Sequence, residues 1–262
     1  MSTKIFKATK EDRRKIMKKI VTIFEKKVKG KKSDTASSNK NHDGKEGHWL
    51  ETKMGISHNA SNTPDLHGFE MKNQTRSKTT FGDWSADHYI FKDKAYGITR
   101  DDFLRIFGMP NPLKKGRFSW SGKPCPKVGA FNVCGQIMKV DKENNIIVVY
   151  DYSRDCRPDK AIIVPKVMQK KSLVLAKWDA SVMAQKLERK FNKLGWFQCK
   201  KDSKGVYSGI VFGEPIQFEN WINGVRKGSV FFDSGMYLGN NRPYSQWRAD
   251  NKYWDDLIAD RF

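Results

Sequence analysis

One short stretch, Pro64 to Lys72, constrains this chain more than any other. It reads Pro64-Asp65-Leu66-His67-Gly68-Phe69-Glu70-Met71-Lys72. Apolar Phe69 and Met71 alternate with Glu70 and Lys72, and a period of two predicts a β-strand whose two charged side chains share one face. Asp65 comes just before this strand, after the break that Pro64 imposes on the backbone. The pattern therefore predicts two carboxylates and a lysine at one place.

The acidic pair predicts a site for a hard divalent cation. Mg²⁺ favours carboxylate oxygens, water and phosphate as ligands, and Asp65 and Glu70 supply the carboxylates. Lys72 beside them could orient an attacking water and offset negative charge at a phosphorus centre. Such a set is typical of a metal-dependent phosphodiesterase, although an edge strand with a solvated charged face would give the same pattern.

The charge balance favours nucleic acid as the partner. The chain has 262 residues, with 50 Lys and Arg against 29 Asp and Glu and a formal net charge of +21. Nucleic acid is the polyanion that most often explains such an excess. Hydrophobic residues make up 38% of the chain, so we expect a folded core rather than a disordered basic tail. With no apolar run of roughly 18 residues and no signal peptide, we expect no membrane span and a cytoplasmic location.

The cysteines and histidines form no clear metal-binding pattern. The four cysteines contain no C-x-x-C pair, so we expect reduced thiols and no structural zinc. All five histidines lie between residues 42 and 88, but none are spaced four apart as ligands on a helix would be. A zinc cluster among them is the less favoured alternative, and His67 could instead contact phosphate.

The amino-terminal part predicts two helices. Ile16, Ile20, Phe24 and Val28 recur every four residues, which predicts a basic amphipathic helix over residues 9–29. A polar loop follows over 31–46, and a short helix is predicted over 45–54. Glu51 on that helix could point toward the acidic site, or could be an ordinary solvated glutamate.

The rest of the chain mixes strands and helices. Residues 135–140 and 146–150 predict a hairpin that turns at Asn144-Asn145. Further strands are predicted at 162–164 and 173–176, and helices at 181–194 and 218–225. This order predicts an α/β or α+β architecture without internal repeats.

Two segments are candidate DNA-contacting loops. In the predicted loop 107–126, basic residues alternate with aromatics and suit phosphate contact; Trp120 there could equally pack on the core. In the loop 238–248, arginine could read guanine, and Asn or Gln could read adenine. The candidate residues are Lys114, Lys115 and Arg117 in the first segment, and Asn240, Asn241, Arg242, Gln246 and Arg248 in the second.

The motifs together resemble a known family. Gly44-x-x-Gly47-x-x-Leu50-Glu51, followed by Pro64-Asp65-x₄-Glu70-x-Lys72, resembles the MutH-like branch of the PD-(D/E)XK endonucleases. Within that branch the chain is most similar to the MvaI/BcnI type of monomeric type II restriction endonucleases. The catalytic motif carries most of the resemblance, and the Trp247-Arg248 pair adds a weaker one.

The resemblance implies a fold, a reaction and roles. The fold would be a restriction-endonuclease-like mixed central sheet flanked by helices, with a catalytic lobe at 1–175 and a DNA-recognition lobe at 176–262. Asp65 and Glu70 would hold Mg²⁺, Lys72 would assist the attacking water, and Glu51 would support metal binding or water activation. The enzyme would cut double-stranded DNA at a short site as a monomer that needs no protein partner.

Two other functions remain open on the sequence. One is a MutH-like nicking enzyme of repair, or a structure-dependent nuclease. The other is a basic nucleic-acid-binding protein without chemistry. We rank the binder lower, because two carboxylates at a phosphate-binding surface repel the phosphate.

Overall fold

The computed structural model describes residues 9–35, 45–57, 62–75, 77–191 and 193–262. The helices of the described residues are α1 (Lys10–Lys27), α2 (Lys45–Met54), α3 (Arg100–Phe107), α4 (Lys160–Ile163), α5 (Ala180–Phe191), α6 (Phe218–Lys227) and α7 (Asn251–Asp256). The strands are β1 (Glu70–Asn73), β2 (Lys78–Asp83), β3 (His88–Tyr89), β4 (Met109–Asn111), β5 (Arg117–Ser119), β6 (Cys134–Val140), β7 (Ile146–Asp155), β8 (Leu173–Trp178), β9 (Trp196–Lys201), β10 (Tyr207–Gly213), β11 (Val230–Ser234), β12 (Ser245–Asp250) and β13 (Ile258–Arg261).

The chain divides into two compact units that alternate along the sequence. The first comprises the chain up to Thr79, Gln185–Phe218 and Asp250–Phe262, and the second comprises Thr80–Ala184 and Glu219–Ala249. The sequence prediction instead drew a single boundary after residue 175. Which part of the chain recognises DNA stays a prediction.

The first unit is built on a four-stranded mixed sheet with the order β1-β9-β10-β13. Strand β1 runs parallel to β9, with Glu70 opposite Trp196, and the other neighbours are antiparallel. Helix α1 is capped by Thr9, whose side chain and Asp12 form a reciprocal capping box. The apolar stripe of α1, Leu50 and Met54 of α2, and Met71 of β1 belong to one hydrophobic cluster. This cluster covers the Met71 face of the sheet.

The second unit holds two further sheets and a hairpin. The sheets have the orders β3-β8-β7-β6 and β11-β12-β2, and β4 pairs with β5. Trp178, Trp247 and Phe232 pack edge to face or tilted at 5.0–5.6 Å in its core. The predicted mixed α+β class is confirmed. Nowhere in the described residues is a helix both long and apolar enough to cross a membrane.

Most predicted elements are present, and three segments differ. Residues 160–163 form the short helix α4 instead of a strand, because the Ile162 and Ile163 amides both donate to Asp159 and the helix ends just before Pro165. Residues 109–119 include the β4–β5 hairpin instead of one loop. Ser245–Asp250 is strand β12, so Gln246 and Arg248 lie on a strand and not in a loop.

Candidate active site

A tight reversal brings Asp65 next to the strand that carries Glu70 and Lys72. Leu66 and Phe69 exchange backbone hydrogen bonds, and the two residues between them, His67 and Gly68, have φ angles of 49° and 92°. Asp65 Oδ2 then accepts a hydrogen bond of 2.9 Å from the Met71 amide. The carboxylate is thereby fixed against β1, beside Glu70.

Glu70 and Lys72 are buried partners on the face of β1 opposite Met71. They are 3% and 7% exposed, and Lys72 Nζ lies 2.8 Å from Glu70 Oε1. Lys72 Nζ also lies 5.1 Å from the centre of the Phe191 ring, on α5. The predicted alternation is correct, but the charged face is covered by α5 rather than solvated.

A second lysine, which the sequence reasoning missed, contacts the same carboxylate. Lys190 Nζ of α5 lies 3.2 Å from Glu70 Oε1. The only sequence signal was its place next to Phe191 in the helix predicted over 181–194. Nothing in the local pattern pairs this residue with Glu70, because the contact joins segments far apart in sequence.

Burial and crowded charge disturb the ionisation of the cluster. Burial, and then the nearby charge of Glu70, raise the pKa of Asp65 to about 6. Burial also lowers the pKa of Lys72, even though Glu70 and Asp65 oppose that shift. A further positive charge close to Asp65 and Glu70, such as a bound cation, would favour the ionised form of both carboxylates.

The donor set fits a divalent cation. Glu70 Oε2 is buried and accepts no hydrogen bond, while Oε1 is shared by two lysines. Burying an oxygen without a hydrogen-bond donor is unfavourable unless an ion or a water molecule binds to it. Among the described residues no three His, Cys, Asp or Glu side chains gather as ligands. Water and phosphate would have to complete the coordination, which is how Mg²⁺ usually binds.

Glu51 lies on helix α2 of the first unit, where its Oε2 is 3.6 Å from His48 Nδ1. Leu50 and Met54 of the same helix pack in the cluster on the Met71 face, whereas Glu70 and Lys72 face α5. The role of Glu51 at the metal site stays a prediction.

The first set of predicted DNA contacts lies on the β4–β5 hairpin. Lys114 and Lys115 are exposed at its turn, and Lys115 has a left-handed φ of 55°. Arg117 stacks on Tyr237, with the guanidinium carbon 3.4 Å from the ring centre. Trp120, just after the hairpin, is fully buried and donates to Gln136 Oε1, so it is a core residue.

The second set divides into occupied and exposed side chains. The Asn240 side chain is engaged with the backbone of Gly235 and Tyr237, and the residue is 5% exposed. Asn241 is exposed, and exposed Arg242 forms an ion pair of 2.9 Å with Asp83. Asn240 is therefore a loop-stabilising residue in this structure.

Gln246 and Arg248 lie on the outer face of β12. They alternate with buried Ser245, Trp247 and Ala249. Arg248 donates to Gln246 Oε1, and its Nε lies 3.3 Å from Asp233 Oδ2 without the alignment of a hydrogen bond. The guanidinium is thus held at a sheet surface rather than enclosed in the core.

Comparison with known proteins decides the family. Residues 28–262 match the sequence family described as LlaMI restriction endonuclease. The chain belongs to this restriction endonuclease family. It is 49% identical to the type II restriction enzyme ScrFI of Lactococcus lactis subsp. cremoris, over 92% of this chain and 97% of that protein. The solved complex of the restriction endonuclease MvaI with its cognate DNA superposes with a TM-score of 0.59 at 10% identity, covering 97% of this chain and 99% of that one.

These similarities confirm the predicted class. This restriction endonuclease is a type II enzyme that cleaves DNA, so the alternative of a binder without chemistry is wrong. The likeness to MvaI, at such low identity, shows the shared fold. Enzymes of this type in general use a divalent metal ion.

Proposed function

We propose that the enzyme is Mg²⁺-dependent and cleaves both strands of duplex DNA at a short specific sequence. It acts in the cytoplasm as a monomer that needs no protein partner. The observation that carries the proposal is the Asp65–Glu70–Lys72 cluster, in which Glu70 and Lys72 are buried and Glu70 Oε2 has no hydrogen-bond donor. A restriction endonuclease needs a charged site of this kind to hydrolyse a phosphodiester.

Asp65 and Glu70 would hold the cation, and Lys72 would act on the attacking water. Bound Mg²⁺ neutralises charge on the phosphate oxygens and makes water more acidic. Asp65 is held by the Met71 amide and presents its carboxylate beside Glu70. The lowered pKa of buried Lys72 makes its proton easier to give up, which suits a group that orients or deprotonates water. Glu51 would support metal binding or water activation from α2.

DNA contact would use two surfaces of different character. Lys114, Lys115 and Arg117 would contact phosphates from the β4–β5 hairpin, supported by the net charge of +21. Asn241, Arg242, Gln246 and Arg248 would face bases. Arg248 is the favoured guanine reader, because Gln246 and Asp233 hold its guanidinium on a partly exposed sheet face. Asn240 is left out of the reading set because its amide already holds the loop.

A plasmid digest tests the reaction and its metal. Supercoiled DNA is incubated with wild-type enzyme in Mg²⁺, in Ca²⁺ and in EDTA, and the ends of the products are sequenced. We expect discrete fragments in Mg²⁺ and intact plasmid in EDTA. Products that stop at open circles would instead show a MutH-like nickase, and cleavage in EDTA would overturn the metal assignment.

The monomer proposal has its own measurement. For a monomer, the cleavage rate rises in proportion to enzyme concentration, and the sedimentation mass of free enzyme equals one chain of 30.3 kDa. A rate that rises with the square of concentration, or a dimer mass on DNA, would contradict it.

A further inference from the structure

Lys190 is placed to control the carboxylate on which the site depends. Its Nζ and that of Lys72 approach the same oxygen, Glu70 Oε1, at 3.2 and 2.8 Å. The two lysines come from different elements, helix α5 and strand β1. Glu70 Oε2, the other oxygen, is buried and receives no hydrogen bond.

Two ammonium groups near one oxygen fix the tilt of a carboxylate plane better than one can. Lys72 Nζ donates a hydrogen bond to Glu70 Oε1, whereas Lys190 Nζ forms an ion pair with it. With Lys72 alone, the carboxylate plane could turn about the last side-chain bond, because that torsion is broad. A second ammonium near Oε1, held by a separate element, narrows this range and leaves both lysines on Oε1 and none on Oε2.

The part of helix α5 that carries Lys190 is packed into the core of the first unit. Leu187 and Phe191, which flank Lys190 on α5, are fully buried. Phe191 also packs on the Lys72 ammonium. The Lys190 side chain is 17% exposed, about twice the 8% of Lys72, yet both are largely shielded from water. The geometry is therefore set by packing rather than by a solvated surface pair.

We propose that Lys190 is a positioning residue of the active site, which with Lys72 holds Glu70 Oε1 and so presents Oε2 to the metal ion. This inference rests on the proposed function of Glu70. It gives Lys190 a role through Glu70 and not through contact with DNA. Whether the loss of Lys190 weakens or tightens metal binding distinguishes a positioning role from a purely electrostatic effect of its charge. Removing a positive charge near a cation site should tighten metal binding, whereas losing the orientation of Glu70 should weaken it.

The test compares Lys190→Met with Lys190→Arg in the full-length enzyme. Mn²⁺ binding without DNA is measured by electron paramagnetic resonance of the free ion, and cleavage is measured as a function of Mg²⁺. For Lys190→Met we expect metal affinity to fall at least fivefold and kcat to fall at least tenfold. DNA affinity without metal should stay within twofold of wild type, and Lys190→Arg should recover most of both losses.

Matched controls make the outcome decisive. Arg189→Met removes an exposed cation from the same turn of α5 and should behave as wild type. The melting temperature of each variant confirms folding. Unchanged or tighter Mn²⁺ binding in Lys190→Met, or full cleavage by it, would overturn the inference. A reduced DNA affinity with normal Mn²⁺ binding would also overturn it, since it would make Lys190 a phosphate contact. If wild-type enzyme itself neither binds Mn²⁺ nor cuts, the proposed function fails instead.

Discussion

Two buried acid–base clusters of this enzyme differ in how completely their polar atoms are bonded. In the second unit, Asp155 accepts from Tyr150, from the Arg157 amide and from the Arg157 guanidinium, at 2.6–3.2 Å. Arg157 also donates to the carbonyls of Ile106 and Gly108. In the first unit, Glu70 concentrates two lysines on one oxygen and leaves the other without a donor.

The ionisation of the two aspartates follows this difference. Burial alone would raise the pKa of Asp155, but the Arg157 hydrogen bonds outweigh it and the pKa is lowered. Burial raises the pKa of Asp65, and the charge of Glu70 adds to the shift. A saturated cluster stabilises its own charges, whereas an incomplete one is stabilised by what it binds. We infer that the Asp155–Arg157 cluster supports the fold and that the Asp65–Glu70 cluster serves the chemistry.

The largest effect expected is on cleavage. Glu70→Gln keeps the size of the side chain but removes the charge that holds the cation, so DNA cleavage should fall by about 10³-fold or more. The melting temperature without metal confirms that the variant is folded. The matched control is Glu188→Gln, which removes the same charge from an exposed position on α5. Near-normal cleavage by Glu70→Gln would remove Glu70 from the site.

The next effect is on stability. Asp155→Asn should leave the buried Arg157 charge incompletely paired and lower the free energy of unfolding by about 3 kcal/mol. Urea denaturation measures this change. Cleavage per folded molecule should stay at the wild-type level. A large loss of cleavage with unchanged stability would mean that the saturated cluster also belongs to the reaction.

The sequence predicted the parts of this contrast that are local. The alternation of Phe69, Glu70, Met71 and Lys72 gave the strand and the face of its charges, and Asn144, with a φ of 67°, occupies the predicted hairpin turn. Pairings between distant segments left no such trace. The role of Lys190 could not be predicted from the sequence, because its partner Glu70 lies on a different element, strand β1.

Propensity also failed where context outweighed it. The β-branched residues at 162–164 favour a strand, but the turn at Asp159 and the following Pro165 enclose a single helical turn. Trp120 had two equal interpretations, and its hydrogen bond to buried Gln136 places it in the core. In both cases the residues that decide the structure lie outside the short sequence pattern on which the prediction was based.

A smaller effect concerns pH and should have opposite signs in the two clusters. Between 3.8 and about 6 the folded protein keeps a proton on Asp65 that the unfolded chain has lost, so Asp65 lowers stability as pH rises through this window. Asp65→Asn should therefore stabilise the metal-free enzyme above pH 6 by up to about 3 kcal/mol, and not at all below pH 3.8. Asp155, with its lowered pKa, stabilises above its unfolded value and loses this contribution as pH falls. The melting temperatures of Asp65→Asn and Asp155→Asn, each compared with wild type across pH, measure the two effects. The same pH dependence in both variants would contradict the predicted difference.

The last prediction applies the same contrast to two arginines. Arg157 is enclosed by its partners, whereas Arg248 lies on a sheet face with an Nε that no acceptor aligns with. Arg248→Ala should therefore cost about 1–3 kcal/mol at one base pair of the recognition sequence and relax specificity there. Lys115→Ala should weaken all sequences alike and make the log–log salt slope shallower by about one unit. Cleavage of the cognate site and of each single-substitution site separates the two behaviours. A uniform loss in Arg248→Ala would make this residue a phosphate contact, and the base-reading surface would have to be sought elsewhere than on β12.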